Sequence, residues 1–446
     1  MTVEYEPVPA SALTGSMRDF RVPGGADLQT RIEGFYRWQD LRRSNGLWPF
    51  SRATDFGPRT EVVAADDRGI GMTGVNFASQ DYLSLSSHPE IRLTALEALE
   101  RYGVHSAGSP ALVGNTTHSV ALEKKIAEFL EMEEAVLYPT GWAAGYGIIR
   151  GLVRSADHIV MDTLAHTCLQ EGANAATRNI YQFRHLDLAH CRKWLSTIRA
   201  KDTENGIMVI TEGLFSMDSD TPDIAAMQEL CREFNATLMV DVAHDLGALG
   251  ESGRGHIGTQ GMLGKVDIVM GSFSKTFASN GGFVAVRNRA LKEYLRFYSP
   301  TTTFSNALSP MQAAIVLKAF EIIDSAEGLR LRQDLMHNVN SLRHQLTEAG
   351  LSYYGDPSAI VAVKMGTEGL ARLVSRRLPD LGVLANLVEY PAVGKGAARF
   401  RMQVMAKHSD KNISDAVQRL VSARVSAEAE LAMLEAAPAP VKRVAA

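Results

Sequence analysis

The chain has 446 residues, 46% of them hydrophobic and 22% charged, with a formal net charge of -4. That is the make-up of a globular enzyme long enough to bury a large core in two or three structural units, and the slight excess of acid argues against a general nucleic-acid binder. No uninterrupted apolar run approaches the roughly 20 residues of a spanning helix, and the acidic start M-T-V-E-Y-E-P-V-P-A lacks an apolar signal core, so a cytoplasmic protein without a transmembrane segment is expected.

Residues 1 to about 25, rich in Pro, Gly and Ser, are expected to be mobile. Asp27 to Asn45 follows a helical pattern, with Leu28, Ile32, Phe35, Tyr36 and Leu41 near helical spacing. Val62 to Asn76 sets two apolar stretches around D-D-R-G, which predicts a hairpin. Helical patterns follow at Glu90–Tyr102 and His118–Glu131. One theme then repeats: apolar runs at Ala135–Tyr138, His158–Met161, Ile207–Ile210, Thr237–Val240, Ile268–Met270 and Phe283–Val286, several separated by helical patterns such as Asp223–Phe234. Strands alternating with helices predict a mostly parallel, helix-covered sheet with its ligand beyond the strands' carboxyl ends. The polar residues Thr140, Asp162, His166, Glu212, Asp241, His244 and Ser272 to Lys275 all follow such runs, so one crevice can collect them.

After Ser309-Pro310 a long helical stretch runs toward Ala349. Strand candidates at Ala359–Lys364, Leu387–Tyr390 and Arg399–Met405 and a helix from Ile413 complete a smaller α+β unit. The expected organisation is an N-terminal arm and helix (1–64), a large domain (65–308), a C-terminal α+β domain (309–430) and a flexible tail (431–446) ending in A-A-P-A-P-V-K-R-V-A-A. Cys168, Cys191 and Cys231 lack metal-ligand spacing and read as buried free thiols.

The chemistry is carried by Val266–Val286, V-D-I-V-M-G-S-F-S-K-T-F-A-S-N-G-G-F-V-A-V. Lys275 stands at a strand end, fenced by hydroxyls and glycines. A lysine there is poorly hydrated, so its amine can act as a nucleophile. The commonest use of such a lysine is a Schiff base to pyridoxal 5'-phosphate; a surface lysine in a hairpin is the plain alternative. The cofactor needs a carboxylate at its pyridine nitrogen, and Asp241 at the end of A-T-L-M-V is the candidate, unless it merely caps a helix. His244 can reach the ring hydroxyl and His166 can stack on the ring. The phosphate needs backbone donors at a helix start, which the turn at Gly141 and Trp142 supplies, with Ser272 and Ser274 adding hydroxyls.

In order, T-G-W-A-A-G, D-T-L-A-H-T-C-L-Q-E-G, E-G-L-F-S-M-D-S-D, D-V-A-H-D-L-G-A-L-G-E-S-G-R-G and G-S-F-S-K-T strongly resemble the α-oxoamine synthases, over roughly Asp27 to Leu420. The later P-A-V-G-K-G-A-A-R-F-R-M-Q-V-M-A-K-H-S fits the same pattern. The resemblance implies a fold-type I pyridoxal-phosphate transferase: a large α/β domain with a mostly parallel seven-stranded sheet, and a smaller C-terminal domain. It implies condensation of a small L-amino acid (serine, glycine or alanine) with an acyl thioester, on coenzyme A or an acyl carrier protein, with loss of carbon dioxide. It also implies roles. Lys275 holds the cofactor and shuttles protons, and Asp241, His244 and His166 serve as above. Arg401, with Arg399 as the neighbouring alternative, binds the substrate carboxylate. Ser305 reaches the phosphate of the other subunit of a homodimer. An aminotransferase or amino-acid decarboxylase on the same fold is the competing reading; a non-catalytic partner subunit is disfavoured by the presence of Lys275. Four departures from the pattern cluster near the expected site: Pro110 where an arginine is usual, His105 for a common glycine, Gly145 for an asparagine, and Asp245 for a small hydroxyl.

Overall fold

A computed structural model describes residues 5–436. Two seven-stranded sheets organise it. Near the N-terminus, β1 (Ala53–Thr54), β2 (Glu61–Ala65) and β3 (Gly71–Phe77) form antiparallel pairs; β2 and β3 are the expected hairpin around D-D-R-G. Next come β4 (Glu134–Tyr138), β5 (His158–Asp162), β6 (Ile180–Phe183), β7 (Ile207–Glu212), β8 (Thr237–Asp241), β9 (Ile268–Ser272) and β10 (Gly282–Val286). They build the large sheet in the order β4-β10-β9-β8-β7-β5-β6. Its neighbours from β6 to β9 are parallel, and only β10 runs against them. Buried side chains from both faces explain why these strands read as unbroken apolar runs rather than alternating ones. The edge strand β6, Ile-Tyr-Gln-Phe, is only partly buried and too mixed to stand out as a run.

The last strands, β11 (Tyr353–Tyr354), β12 (Ile360–Gly366), β13 (Val383–Val388) and β14 (Ala398–Gln403), do not form a sheet by themselves. β13 pairs in parallel with β3, so the second sheet runs β1-β2-β3-β13-β14-β12-β11 and joins both ends of the chain. The approach is close at Gly74, where a Cβ would lie 2.3 Å from the Gly382 carbonyl carbon. The helical stretch after Pro310 is two helices, Pro310–Ile323 and Ala326–Glu348, the second capped by Ser325. The final helix, Asp410–Ala436, extends past residue 430, so the tail expected from 431 begins as helix; the remainder of A-A-P-A-P-V-K-R-V-A-A lies outside the described residues.

The N-terminal segment departs from expectation. Its described part, residues 5–25, forms short 3-10 turns at Ala10–Leu13 and Met17–Phe20, and buries Val8 and Ala12. Its anchor is Arg372, fully buried, which donates to the carbonyls of Leu13 (2.6 Å) and Gly15 (2.7 Å) and pairs with Glu389 (2.7 Å). The first helix starts at Glu33, and its packed side is aromatic: Phe35 and Trp38 cluster with Phe20 and Trp48. Leu28, Ile32 and Tyr36, which helical spacing marks as the buried side, are exposed. Among the described residues no helix is long and apolar enough to cross a membrane.

Candidate active site

The parallel strands deliver their carboxyl ends to one edge of the large sheet, and there a cavity of about 260 Å³ is lined by Thr140, Gly141, Trp142, His166, Cys168, Glu212, Asp241, His244, Ser272, Ser274 and Lys275. Each arrives for a local reason. Thr140 caps the helix Gly141–Leu152 by accepting from the Ala143 N–H (3.0 Å). Gly141 is required by proximity: a Cβ would lie 2.4 Å from Ser272 Cβ, and one on Gly282 would lie 2.7 Å from Gly141 Cα. The helix start is thereby pressed against the end of β9, where the Ser272 and Ser274 hydroxyls are 2.8 Å apart. His166 caps the helix Thr167–Ala176, with its Nδ1 accepting from the Cys168 N–H (3.3 Å) and lying 3.0 Å from Cys168 Sγ.

The electrostatics are those of buried charges facing one another. Burial pushes the Lys275 amine below its ordinary pKa, against the pull of Asp241. Burial also raises Asp241 and lifts Glu212 well above the usual carboxylate range, the latter reinforced by the charge of Asp241. Glu212 accepts from the His166 backbone N–H (2.6 Å). His244 is driven well down by burial and by the nearby cations, and is therefore neutral. Its Nδ1 is 2.9 Å from the hydroxyl of buried Tyr82, which also donates to Gln403 Oε1 (3.3 Å).

The two candidate arginines separate. Arg401 does not line the cavity, though its positive charge helps to lower Lys275 and His244, and among the described residues its buried Nε has no partner. Arg399, two residues earlier on β14, is occupied: it ion-pairs with Asp218, donates to Met217 O (3.0 Å) and lies over the Tyr354 ring (3.9 Å). Ser305 does not line the cavity of its own chain. It sits in a loop tied to the one bearing Pro110, through Ser109 Oγ to Thr303 O (2.7 Å) and Ala307 N to Gly108 O (2.8 Å).

Glu212, Cys168 and Tyr82 join the site without having been assigned a role from the sequence. Glu212 was visible as a polar strand end. Cys168 reads as an inert buried thiol, and it is free and buried, but it also explains Gly145: a Cβ there would lie 2.6 Å from Cys168 Sγ and 2.9 Å from Met270 Cε, so the thiol fills the space an asparagine would need. Tyr82 is brought in from a loop 162 positions before His244, which no local pattern reveals. A further cavity of about 530 Å³ meets the first at Ser274, Lys275 and Asn280, and mixes polar Ser79, Gln80 and Gln312 with apolar Val62, Met311 and Ile315.

The donor set fits pyridoxal phosphate: an amine of lowered basicity, a buried carboxylate, a neutral imidazole, and a glycine-cradled helix start beside two hydroxyls that a single added methyl would fill.

The aminotransferase class I and II family model matches residues 73–420. Serine palmitoyltransferase of Sphingobacterium spiritivorum is 33% identical over 91% of this chain and 98% of its own length. The 8-amino-7-oxononanoate synthase of Geotalea daltonii is 32% identical over 85% of this chain and 94% of its own. The solved serine palmitoyltransferase of Sphingomonas wittichii superposes with a TM-score of 0.84 at 25% identity, covering 91% of this chain and all of that one. With its cavity at the carboxyl edge of a mostly parallel sheet, the chain belongs to the aminotransferase class I and II family, in the α-oxoamine synthase group.

Proposed function

We propose that this protein is a pyridoxal-phosphate-dependent acyltransferase. It condenses a small L-amino acid (serine, glycine or alanine) with an acyl thioester on coenzyme A or an acyl carrier protein, and yields an α-amino ketone, carbon dioxide and free thiol. The observation that carries this reading is the convergence of Lys275, Asp241 and His244 on one cavity, in a chain whose relatives include a serine palmitoyltransferase and an 8-amino-7-oxononanoate synthase.

When bound, the cofactor supplies an electron-accepting ring that makes the substrate α-carbon acidic. In this reading Lys275 holds its aldehyde, Asp241 its pyridine nitrogen, His244 its ring hydroxyl and His166 its face, while Gly141, Trp142, Ser272 and Ser274 hold its phosphate. Arg401 binds the amino-acid carboxylate with a guanidinium that no protein acceptor engages at Nε. Lys275 Nζ, released when the substrate amine takes its place at the aldehyde, and with its charged form disfavoured by burial, would take the α-proton and later return one. The α-carbon then bonds to the thioester carbonyl carbon, the thiol leaves, and the carboxylate departs as carbon dioxide. The thioester enters through the cavity bounded by Gln80, Met311 and Ile315.

A homodimer with shared sites belongs to the same proposal. The paired loops that carry Pro110 and Ser305 expose Leu112 (81%), Val113 (89%) and Phe304 (87%), apolar side chains that a second copy would cover. A cytoplasmic setting also belongs to it, supported by three free thiols. The test is direct: the purified enzyme, given amino acid and acyl thioester, releases carbon dioxide and free thiol in equal amounts. Amino-group transfer to a keto acid without thiol release overturns the reading.

A further inference from the structure

Among the described residues, none accepts from the buried Nε of Arg401. The residue's place is inherited from β14, where it stands opposite Ala362 of β12 and Asn386 of β13. What fixes β14 relative to Lys275 therefore decides what Arg401 can reach.

One segment of the large-sheet unit, 212–220, runs from the cavity to the second sheet. It starts at Glu212, and the Gly213 N–H donates to the backbone carbonyl of Asp241 (2.7 Å). It is closed on itself by Ser219 N to Phe215 O (2.8 Å) and Phe215 N to Asp220 O (2.9 Å). At its far end three separate contacts grip the second sheet. Asp218 ion-pairs with Arg399, which is buried and covers Tyr354. Ser219 Oγ lies 2.8 Å from Ile360 O and 2.6 Å from Ser358 Oγ. The Asp356 N–H donates to Ser219 O (2.7 Å). Backbone meets backbone so closely that a Cβ on Gly355 would fall 2.1 Å from Asp218 O. Ser219 is fully buried and holds φ at +61°, a left-handed conformation that costs a non-glycine residue energy, and its hydroxyl contacts offset that cost.

We propose that this joint, with Asp218 and Arg399 at its centre, positions Arg401 for the substrate carboxylate. Arg399 is thus a positioning residue for its neighbour and not itself the carboxylate ligand. The path is short and continuous: Asp241 and Glu212, then Asp218 and Ser219, then Arg399, then Arg401 two residues along the same strand. This rests on the carboxylate role of Arg401 proposed above. A displacement of about 1 Å at such a group is enough to cost on the order of 100-fold in a well-oriented site.

The experiment uses holoenzyme and reads binding from the change in cofactor absorbance, with L-alanine, L-serine and glycine each compared with its methyl ester. Asp218→Asn and Arg399→Gln are each expected to weaken binding of the free acid about tenfold or more, with less than a twofold effect on the ester. The double variant is expected to match either single, because both remove one contact. Neither change should weaken the acid further in an Arg401→Ala background. Ser219→Gly suits the positive φ and removes only the hydroxyl, so it is expected to fold and to show a smaller loss in the same direction. Equal weakening of acid and ester, or an unchanged preference for the acid in these variants, overturns the joint while leaving the role of Arg401 intact. A wild-type enzyme that binds acid and ester alike removes the role of Arg401, and the joint's purpose with it.

Discussion

Asp245 follows His244 by one residue and places an acidic group where a small hydroxyl is usual in the resembling pattern. Its carboxyl is fully buried, accepts from the His256 N–H (2.7 Å) and leaves Oδ1 without a partner. It is wedged between glycines: a Cβ on Gly213 or Gly255 would come within 2.7 or 2.6 Å of Oδ2. Burial, with Asp241 adding to it, pushes the group from 3.8 up to about 7. The sign then follows. Between about pH 4 and 7 the folded protein keeps a proton that the unfolded chain has lost, so stability falls as pH rises and levels off above the folded value. A difference of about three pH units at about 1.4 kcal/mol each corresponds to about 4 kcal/mol, a substantial part of a typical net stability of about 5–15 kcal/mol. Asp245→Asn keeps a carbonyl oxygen for the His256 N–H and removes the titration. The variant is expected to resemble wild type near pH 4.5 and to be more stable by up to about 4 kcal/mol at pH 8. Urea unfolding of both holoenzymes at pH 4.5, 6, 7 and 8 measures this, and every group common to the two proteins cancels in the difference. Parallel pH profiles for wild type and variant would refute the reasoning.

Other outcomes follow from the same site. Lys275→Ala should abolish the absorbance band of the lysine–cofactor linkage; its persistence would reject Lys275 as the attachment point. Arg401→Ala removes a charged hydrogen-bond donor worth about 1.5–3 kcal/mol. Amino-acid binding should weaken about 10- to 100-fold with little change for the thioester, and equal loss for both would contradict the carboxylate role. Gly141→Ala drives a methyl to 2.4 Å from Ser272 Cβ, an overpacking of roughly 1–3 kcal/mol. Cofactor should be lost faster on dialysis, and unchanged retention would place the phosphate elsewhere.

The sequence by itself determined six of the seven strands of the large sheet and the polar residues at their ends. Strands covered on both faces must be apolar throughout, so runs such as Ile207–Ile210 and Thr237–Val240 announced themselves, and the polar residues that end them had to lie together. The ordered motifs through Lys275 supplied the cofactor. What the tertiary structure decided is whatever depends on contacts between distant positions. Nothing local to Gly71–Phe77 says that it will pair with Val383–Val388, and nothing local to Tyr82 says that it will meet His244. Arg399 and Arg401 are equivalent as letters on one strand. They part because Asp218, 181 residues earlier, claims the first and leaves the buried Nε of the second without an acceptor, and a pairing of charges at that separation is fixed by packing, which no periodicity records.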